Sequence, residues 1–177
     1  SQAGPLMLTA LYETLAAAQL RLGAFIWGPG EGFMSAIVEK REDFPYLDEN
    51  YLTPLLAGEK TSAFGFTEPE NMPKRTSAVV DEAKGVFRIN GIKSYVTGGD
   101  KATFTCVLAN VVPEKAGQKG GSTMIIVDRD TPGVKIERVF GTIGGGTHAW
   151  MVFEDVEVPL DNAIGEIGQG LKRGLSQ

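Results

Sequence analysis

Val86-Phe87-Arg88-Ile89-Asn90-Gly91-Ile92-Lys93-Ser94-Tyr95-Val96 is the stretch on which the fold class turns. From Thr61 onward the apolar residues of this chain recur with a period near two, as they do along extended strands with alternating faces. Asn-Gly between two apolar runs is a strong short-range signal for a two-residue hairpin, because both residues tolerate positive φ. The stretch therefore predicts two strands joined at Asn90-Gly91, with Lys84-Gly85 marking another turn just before Val86. Working outward, residues 104–109, 124–128, 134–140 and 150–158 read as further strands. Gly98-Gly99, Pro113, Gly120-Gly121, Pro132-Gly133 and Gly144-Gly145-Gly146 separate them. Short strands at this spacing, with no helical pattern between them, predict an antiparallel barrel or sandwich.

Upstream the pattern is helical. Pro5 suits a first helical turn, where its missing N–H costs nothing. Leu8, Leu11, Leu15, Ala18 and Leu22 then follow at spacings of three and four, one apolar stripe on a helix. Gly28-Pro29-Gly30 interrupts it. Shorter helical segments are predicted around residues 33–40 and 47–56, with Asp48 placed to cap the latter. Residues 166–177 read as the opening of one more helix. The chain is thus expected to be α+β, a partial N-terminal helical bundle followed by an antiparallel β-barrel.

Composition narrows the function. The 177 residues carry 17 Lys and Arg against 22 Asp and Glu, a net charge of −5, which argues against a nucleic-acid partner because phosphate contacts need a basic face. The 23 glycines, about 13% against the ~7% of average usage, predict frequent turns and close backbone approaches. One cysteine, Cys106, excludes an internal disulfide framework. One histidine, His148, argues against a structural zinc site, and no metal ligands are assigned. The apolar stretch 5–27 contains Tyr12, Glu13, Thr14, Gln19 and Arg21, so it is not read as a membrane span, and it lacks the features of a signal peptide. A soluble protein of a reducing compartment is expected, cytoplasmic or, in a eukaryote, of the mitochondrial matrix. Because the sequence starts at Ser1 rather than methionine, a processed or excerpted polypeptide is expected.

Several candidate motifs have plain readings. Neither Gly28-Pro29-Gly30-Glu31-Gly32 nor Gly141-Thr142-Ile143-Gly144-Gly145-Gly146 matches the dinucleotide-binding GxGxxG pattern, and both read as turns. Cys106, among Phe104, Val107 and Leu108, reads as a core strand residue. His148 reads as a hydrogen-bonded or exposed strand histidine. Asp43, Asp48, Glu49 and Glu59 read as solvated charges. The stretch Ala63-Phe64-Gly65-Phe66-Thr67-Glu68-Pro69-Glu70 differs, because a strand ending in Thr-Glu-Pro places a hydroxyl and free backbone groups where a sheet gives out.

Taken with Asn90-Gly91-Ile92-Lys93-Ser94-Tyr95-Val96-Thr97-Gly98-Gly99 and Phe153-Glu154-Asp155-Val156-Glu157-Val158-Pro159, that stretch resembles the middle domain of the acyl-CoA dehydrogenases. Leu55-Leu56-Ala57-Gly58-Glu59-Lys60, Asp130-Thr131-Pro132-Gly133-Val134 and Gly165-Glu166-Ile167-Gly168-Gln169-Gly170-Leu171 match the family in the same order. The resemblance implies a partial N-terminal helical domain over 1–60, a middle β-barrel binding flavin and acyl-CoA over 61–165, and the start of a C-terminal helical domain over 166–177. It implies FAD as cofactor and α,β-dehydrogenation of an acyl-CoA thioester, with a hydride passing to flavin N5. An electron-transfer flavoprotein or other acceptor would take the electrons, and the full-length protein would be a homo-oligomer. Phe64, Phe66 and Thr67 would lie along the flavin ring, Tyr95 would stand where the family usually has tryptophan, and Thr97 would match the threonine that reaches toward N5. The catalytic carboxylate would come from the C-terminal domain, so no residue here is assigned as the base and the chain alone is expected to be inactive.

The sequence also departs from the family. Glu70-Asn71-Met72-Pro73-Lys74 follows Thr-Glu-Pro, with Pro73 in place of a serine and Lys74 in place of an acid, and the glycine-rich stretch before Thr147 lacks an arginine often found there. Two other readings stay open on these residues: a β-domain that binds or assembles without flavin, and a flavin oxidase or monooxygenase on the same fold.

Overall fold

The computed structural model describes residues 5–18, 41–70, 76–143 and 145–170. The expected helix over 33–40, the glycine break at 28–30, most of the expected C-terminal helix and the Met72-Pro73-Lys74 departure lie outside them. Helix α1 is Pro5–Ala17, beginning at the proline as expected. A 3-10 turn, Arg41–Asp43, precedes α2, Pro45–Leu47, a π-helical turn, Asp48–Leu52, and α3, Thr53–Leu56. Asp48 sits inside this helical run rather than capping it. Its carboxylate accepts from Arg41 Nε at 2.9 Å and from the Thr53 hydroxyl at 3.1 Å, and the Arg41 hydrogen bond holds its carboxyl below the usual range.

Seven strands follow: β1, Ser62–Gly65; β2, Ser77–Asp81; β3, Val86–Thr97; β4, Phe104–Val111; β5, Gly121–Asp128; β6, Val134–Gly141; β7, Thr147–Pro159. They form one mixed sheet in the order β1-β4-β2-β3-β7-β6, with β5 on the other edge of β4. The expected α+β class is present, as a half-barrel with a few short helical segments. Two pairings depart from an all-antiparallel arrangement, because β1 and β2 both run parallel to β4. Strand β2 has no counterpart in the sequence reading.

Asn90-Gly91 is not a hairpin. Residues 86–97 form one continuous strand, and the hairpin lies at Lys84-Gly85, between β2 and β3. The ladder instead carries a bulge here, on β7: between the pairs Ile89–Val156 and Gly91–Phe153, Asn90 stands opposite both Glu154 and Asp155. The Asn90 side chain bridges to Asp155 on β7, donating to its carboxylate at 3.0 Å and accepting its N–H at 2.9 Å, while Asp155 itself has φ +48°. Gly91 has φ +149°, and a Cβ there would stand 2.4 Å from the Thr76 Cα. The same permissive backbone that favours a turn here admits a bulge and a close crossing.

The core lies on both faces of β4 and β5. Val107, Ala109, Val111, Ile125 and Val127 point to one side, where Phe87, Ile89, Met151, Phe153 and Val156 meet them. Phe104, Cys106, Met124 and Ile126 point to the other, against Leu47, Tyr51 and Leu52 of the helical run. Burial on both faces explains why residues 104–109 and 124–128 read as nearly continuous apolar runs. Tyr51 fastens this layer: its hydroxyl donates to Asp128 at 2.9 Å and accepts from the Asn162 amide at 3.2 Å.

Candidate functional site

Strands β1 and β2 lie one after the other along the same edge of β4, Ser62 opposite Phe104 and Ser77 opposite Asn110. Strand β1 ends at Gly65 and β2 begins at Ser77. Thr-Glu-Pro falls in that gap, at the place the sequence predicted a sheet to give out. Strand β3 is twelve residues long, but β2 pairs only with Val86–Asn90. Beyond the Gly91 bulge its partner on that side is the loop itself: the Ser94 N–H donates to the Thr67 carbonyl at 2.9 Å.

A partly buried ion pair holds the loop there. Lys93 Nζ donates to the Glu68 carboxylate at 2.8 Å and to the Phe66 carbonyl at 3.1 Å, and Glu68 also accepts the Thr76 N–H at 2.9 Å. Burial works against charge on Glu68, yet the Lys93 and Thr76 hydrogen bonds outweigh it and hold the carboxyl below its usual range. On Lys93 burial dominates and lowers its affinity for the proton, with Glu68 opposing. The sequence reading assigned neither residue a role. A lysine inside an otherwise apolar strand, downstream of a lone glutamate in a strand-to-loop motif, is the signal that could have found them, since a lysine is almost never buried unpaired.

Tyr95 has φ +54° and lies at a second irregularity of the β3–β7 ladder, between Lys93 and Val96. The bulge turns its ring outward, 56% exposed, 5.9 Å from the Phe140 ring and 6.5 Å from the His148 ring. Phe140 in turn meets Trp150 at 6.0 Å and lies under the Arg138 guanidinium at 4.7 Å. Thr97 stands opposite His148 in the ladder, and its Oγ1 is 3.0 Å from Nδ1 of the imidazole. His148 is thus the hydrogen-bonded strand histidine expected from the sequence. Phe140, Trp150 and Arg138 were not singled out there, because only the β6–β7 register brings them beside Tyr95.

Four of the five sequence-derived site residues, Phe66, Thr67, Tyr95 and Thr97, are exposed. The Thr67–Ser94 hydrogen bond places the loop next to the Tyr95 end of β3. Phe64 is half-buried, packs with the second core cluster and touches Phe66 ring to ring at 5.5 Å. Cys106 is fully buried, and that burial pushes its thiol up to about 12, as fits a core residue. Among the described residues no group of three His, Cys, Asp or Glu could hold a metal ion, and no helix is long and apolar enough to cross a membrane.

The site's chemistry suits a flat, polar-edged aromatic ligand. An outward aromatic ring and a hydroxyl two residues apart line one strand, and exposed Thr67 stands beside them. The Ser94 Oγ is buried with no hydrogen-bond partner among the described residues. Stacking on tyrosine and hydrogen bonds to ring edges are what an isoalloxazine requires.

Comparison with known proteins identifies the family. The family model for the acyl-CoA dehydrogenase middle domain matches residues 63–156, just over half of the chain, so this chain belongs to the acyl-CoA dehydrogenase family. It is similar to the acryloyl-CoA reductase (NADH) of Anaerotignum propionicum, 36% identical over 130 residues that cover 70% of this chain and 32% of that protein. The butyryl-CoA dehydrogenase structure from Megasphaera elsdenii superposes with a TM-score of 0.61 at 33% identity, covering 71% of this chain and 33% of that one. A chain from a structure described as the electron transferring flavoprotein of Acidaminococcus fermentans matches at TM-score 0.61 and 29% identity, over 71% of this chain and 34% of its own. The chain spans between a fifth and about a third of the length of the curated relatives it matches.

Proposed function

We propose that this chain carries the middle-domain half of the flavin site of an FAD-dependent acyl-CoA dehydrogenase. The observation that carries this reading is the placement of the Phe66–Thr67 loop against β3, beside outward-facing Tyr95 and Thr97, within a middle domain of this family. In this reading residues 61–165 are the flavin- and acyl-CoA-binding domain, 1–60 a partial helical domain, and 166–177 the start of a C-terminal one. Tyr95 offers an aromatic face to the isoalloxazine, Thr67 a hydroxyl to its pyrimidine edge, and Thr97 a hydroxyl near N5. The bound flavin supplies the hydride acceptor for α,β-dehydrogenation of the thioester. The chain's own contribution is to orient the ring and shield one side of it from water.

The same family membership supports an acyl-CoA substrate and an electron-transfer flavoprotein as acceptor, and the reading extends to a homo-oligomeric parent protein of the cytoplasm or mitochondrial matrix. The base belongs to the parent protein's C-terminal domain. Titration of the 177-residue chain with FAD, read by flavin fluorescence polarisation, tests the reading. Saturable binding that Tyr95→Ala weakens is expected. Binding indifferent to Tyr95→Ala and Thr67→Val, or no binding by this chain or by its parent, refutes it and leaves the flavin-free assembly module.

A further inference from the structure

Thr97 and His148 face each other across the β3–β7 ladder with Oγ1 and Nδ1 3.0 Å apart. A threonine hydroxyl has one proton to give and lone pairs to accept with. Its direction is therefore decided by whichever neighbour makes the stronger demand. With Nδ1 unprotonated, the Thr97 O–H donates to it and the oxygen lone pairs face outward. With the imidazole protonated, both ring nitrogens are donors. Nδ1–H then donates to Thr97, and the hydroxyl proton is the part left to face outward.

We propose that His148 is a positioning residue that sets the direction of the Thr97 hydroxyl, and so decides whether the site offers its ligand a hydrogen-bond acceptor or a donor. The inference rests on the reading that Thr97 meets flavin N5. Oxidised flavin has an acceptor nitrogen at that position and reduced flavin an N–H. Neutral His148 with its proton on Nε2 thus leaves Thr97 matched to the reduced ring, and protonated His148 leaves it matched to the oxidised ring.

The surroundings allow His148 to act in this way. It is half-buried, so protons reach it. Tyr95 meets it edge-on from β3, and Phe140 pairs with it from β6. The charged groups on the packed elements are engaged elsewhere. Asp100, in the turn after β3, accepts the hydroxyl of the adjacent Thr147 at 2.6 Å, and Arg138 lies over Phe140. Among the described contacts Thr97 is the side chain hydrogen-bonded to the imidazole.

A second effect of protonation has the opposite sign. The positive charge of an imidazolium near the ring favours the electron-rich reduced state. Thr97→Val removes the hydroxyl and leaves the charge, so the difference between wild type and variant isolates hydrogen-bond direction.

The test uses the FAD-loaded 177-residue chain, whose single histidine makes a ¹⁵N-histidine NMR titration a report on His148 alone. The flavin midpoint potential is measured for wild type and Thr97→Val at pH values spanning that titration. As His148 gains its proton, the preference for reduced over oxidised FAD should fall in wild type relative to the variant by roughly five-fold, the scale of one net hydrogen bond. His148→Phe, which keeps an aromatic ring beside Tyr95, should remove the pH dependence of the Thr97→Val effect. A wild-type-to-variant difference that stays constant across the titration overturns the proposal while leaving the flavin reading intact. No FAD binding by the wild-type chain or by its parent overturns both.

Discussion

Lys93 Nζ, on a side chain only 1% exposed, joins the Glu68 carboxylate at 2.8 Å to the Phe66 carbonyl at 3.1 Å. One cation thereby ties the Thr-Glu-Pro loop to the strand that carries Tyr95 and Thr97. Removing one member of a buried pair leaves the other uncompensated, which costs about 3–5 kcal/mol at fully buried sites. Glu68 is 26% exposed, so solvent offsets part of that, and Glu68→Gln should destabilise the fold by about 2 kcal/mol in urea denaturation. Lys93→Met/Glu68→Gln together should recover part of the loss. Additive losses would show that the two residues act separately.

The same pair sets an acid dependence. The folded-state value of Glu68 lies below its ordinary one, so the unfolded chain binds the proton more readily. The stability Glu68 contributes is present above the ordinary carboxylate value near ~4.3 and is lost as pH falls through the depressed folded value. For Lys93, lowered by burial, the unfolded state again binds the proton more readily. Its penalty therefore shrinks as pH rises from the folded value toward the ordinary ~10.4. Urea midpoints measured from pH 6 downward should fall, and Glu68→Gln should flatten that fall.

At the bulge, Gly91→Ala should destabilise by about 2–3 kcal/mol or more, because a Cβ would stand 2.4 Å from the Thr76 Cα at a φ of +149°. Asn90→Ala, which removes the two hydrogen bonds to Asp155, should cost about 1–2 kcal/mol. Thermal unfolding of the two variants ranks them. An Asn90→Ala loss exceeding that of Gly91→Ala would mean that the side-chain bridge, rather than the close crossing, maintains the bulge.

Cys106 should resist thiol reagents in the native protein. Its side chain is fully buried between β5 and the helical run, and the thiol is pushed up to about 12, so almost no thiolate exists at pH 8. Labelling at pH 8 should proceed only at the rate of unfolding and become complete in urea. Rapid native-state labelling would show that the helical run 45–56 opens away from β4 and β5.

For the flavin site, Thr67→Val and Tyr95→Ala should each weaken FAD binding several-fold, at about 1 kcal/mol for a hydrogen bond or a stacked ring. Thr53→Val should leave it unchanged, since the Thr53 hydroxyl is engaged with Arg41 and Asp48. Polarisation titrations of the three variants compare them directly. A Thr53→Val effect as large as the others would mean that the losses come from folding rather than from the site.

By itself the sequence determined most of the elements and their character. Apolar patterning and turn residues marked β4 to β7, the end of β1 and the extended character of β3, Pro5 marked the start of α1, and Thr-Glu-Pro marked where the sheet gives out. These are local properties: side-chain period, φ preference and a missing N–H act within a few residues. Tertiary structure decided what the local signals left open. Asn90-Gly91 is compatible with both a hairpin and a bulge, and the pairing of β3 with β7 and the approach of Thr76 select the bulge. Strand β2, Ser-Ala-Val-Val-Asp, is short and weakly patterned, and is a strand because β3 and β4 flank it. The Lys93–Glu68 pair spans 25 residues and Thr97–His148 spans 51. Neither partner marks the other in sequence, because an ion pair or a cross-strand hydrogen bond exists only once register has brought the two side chains together.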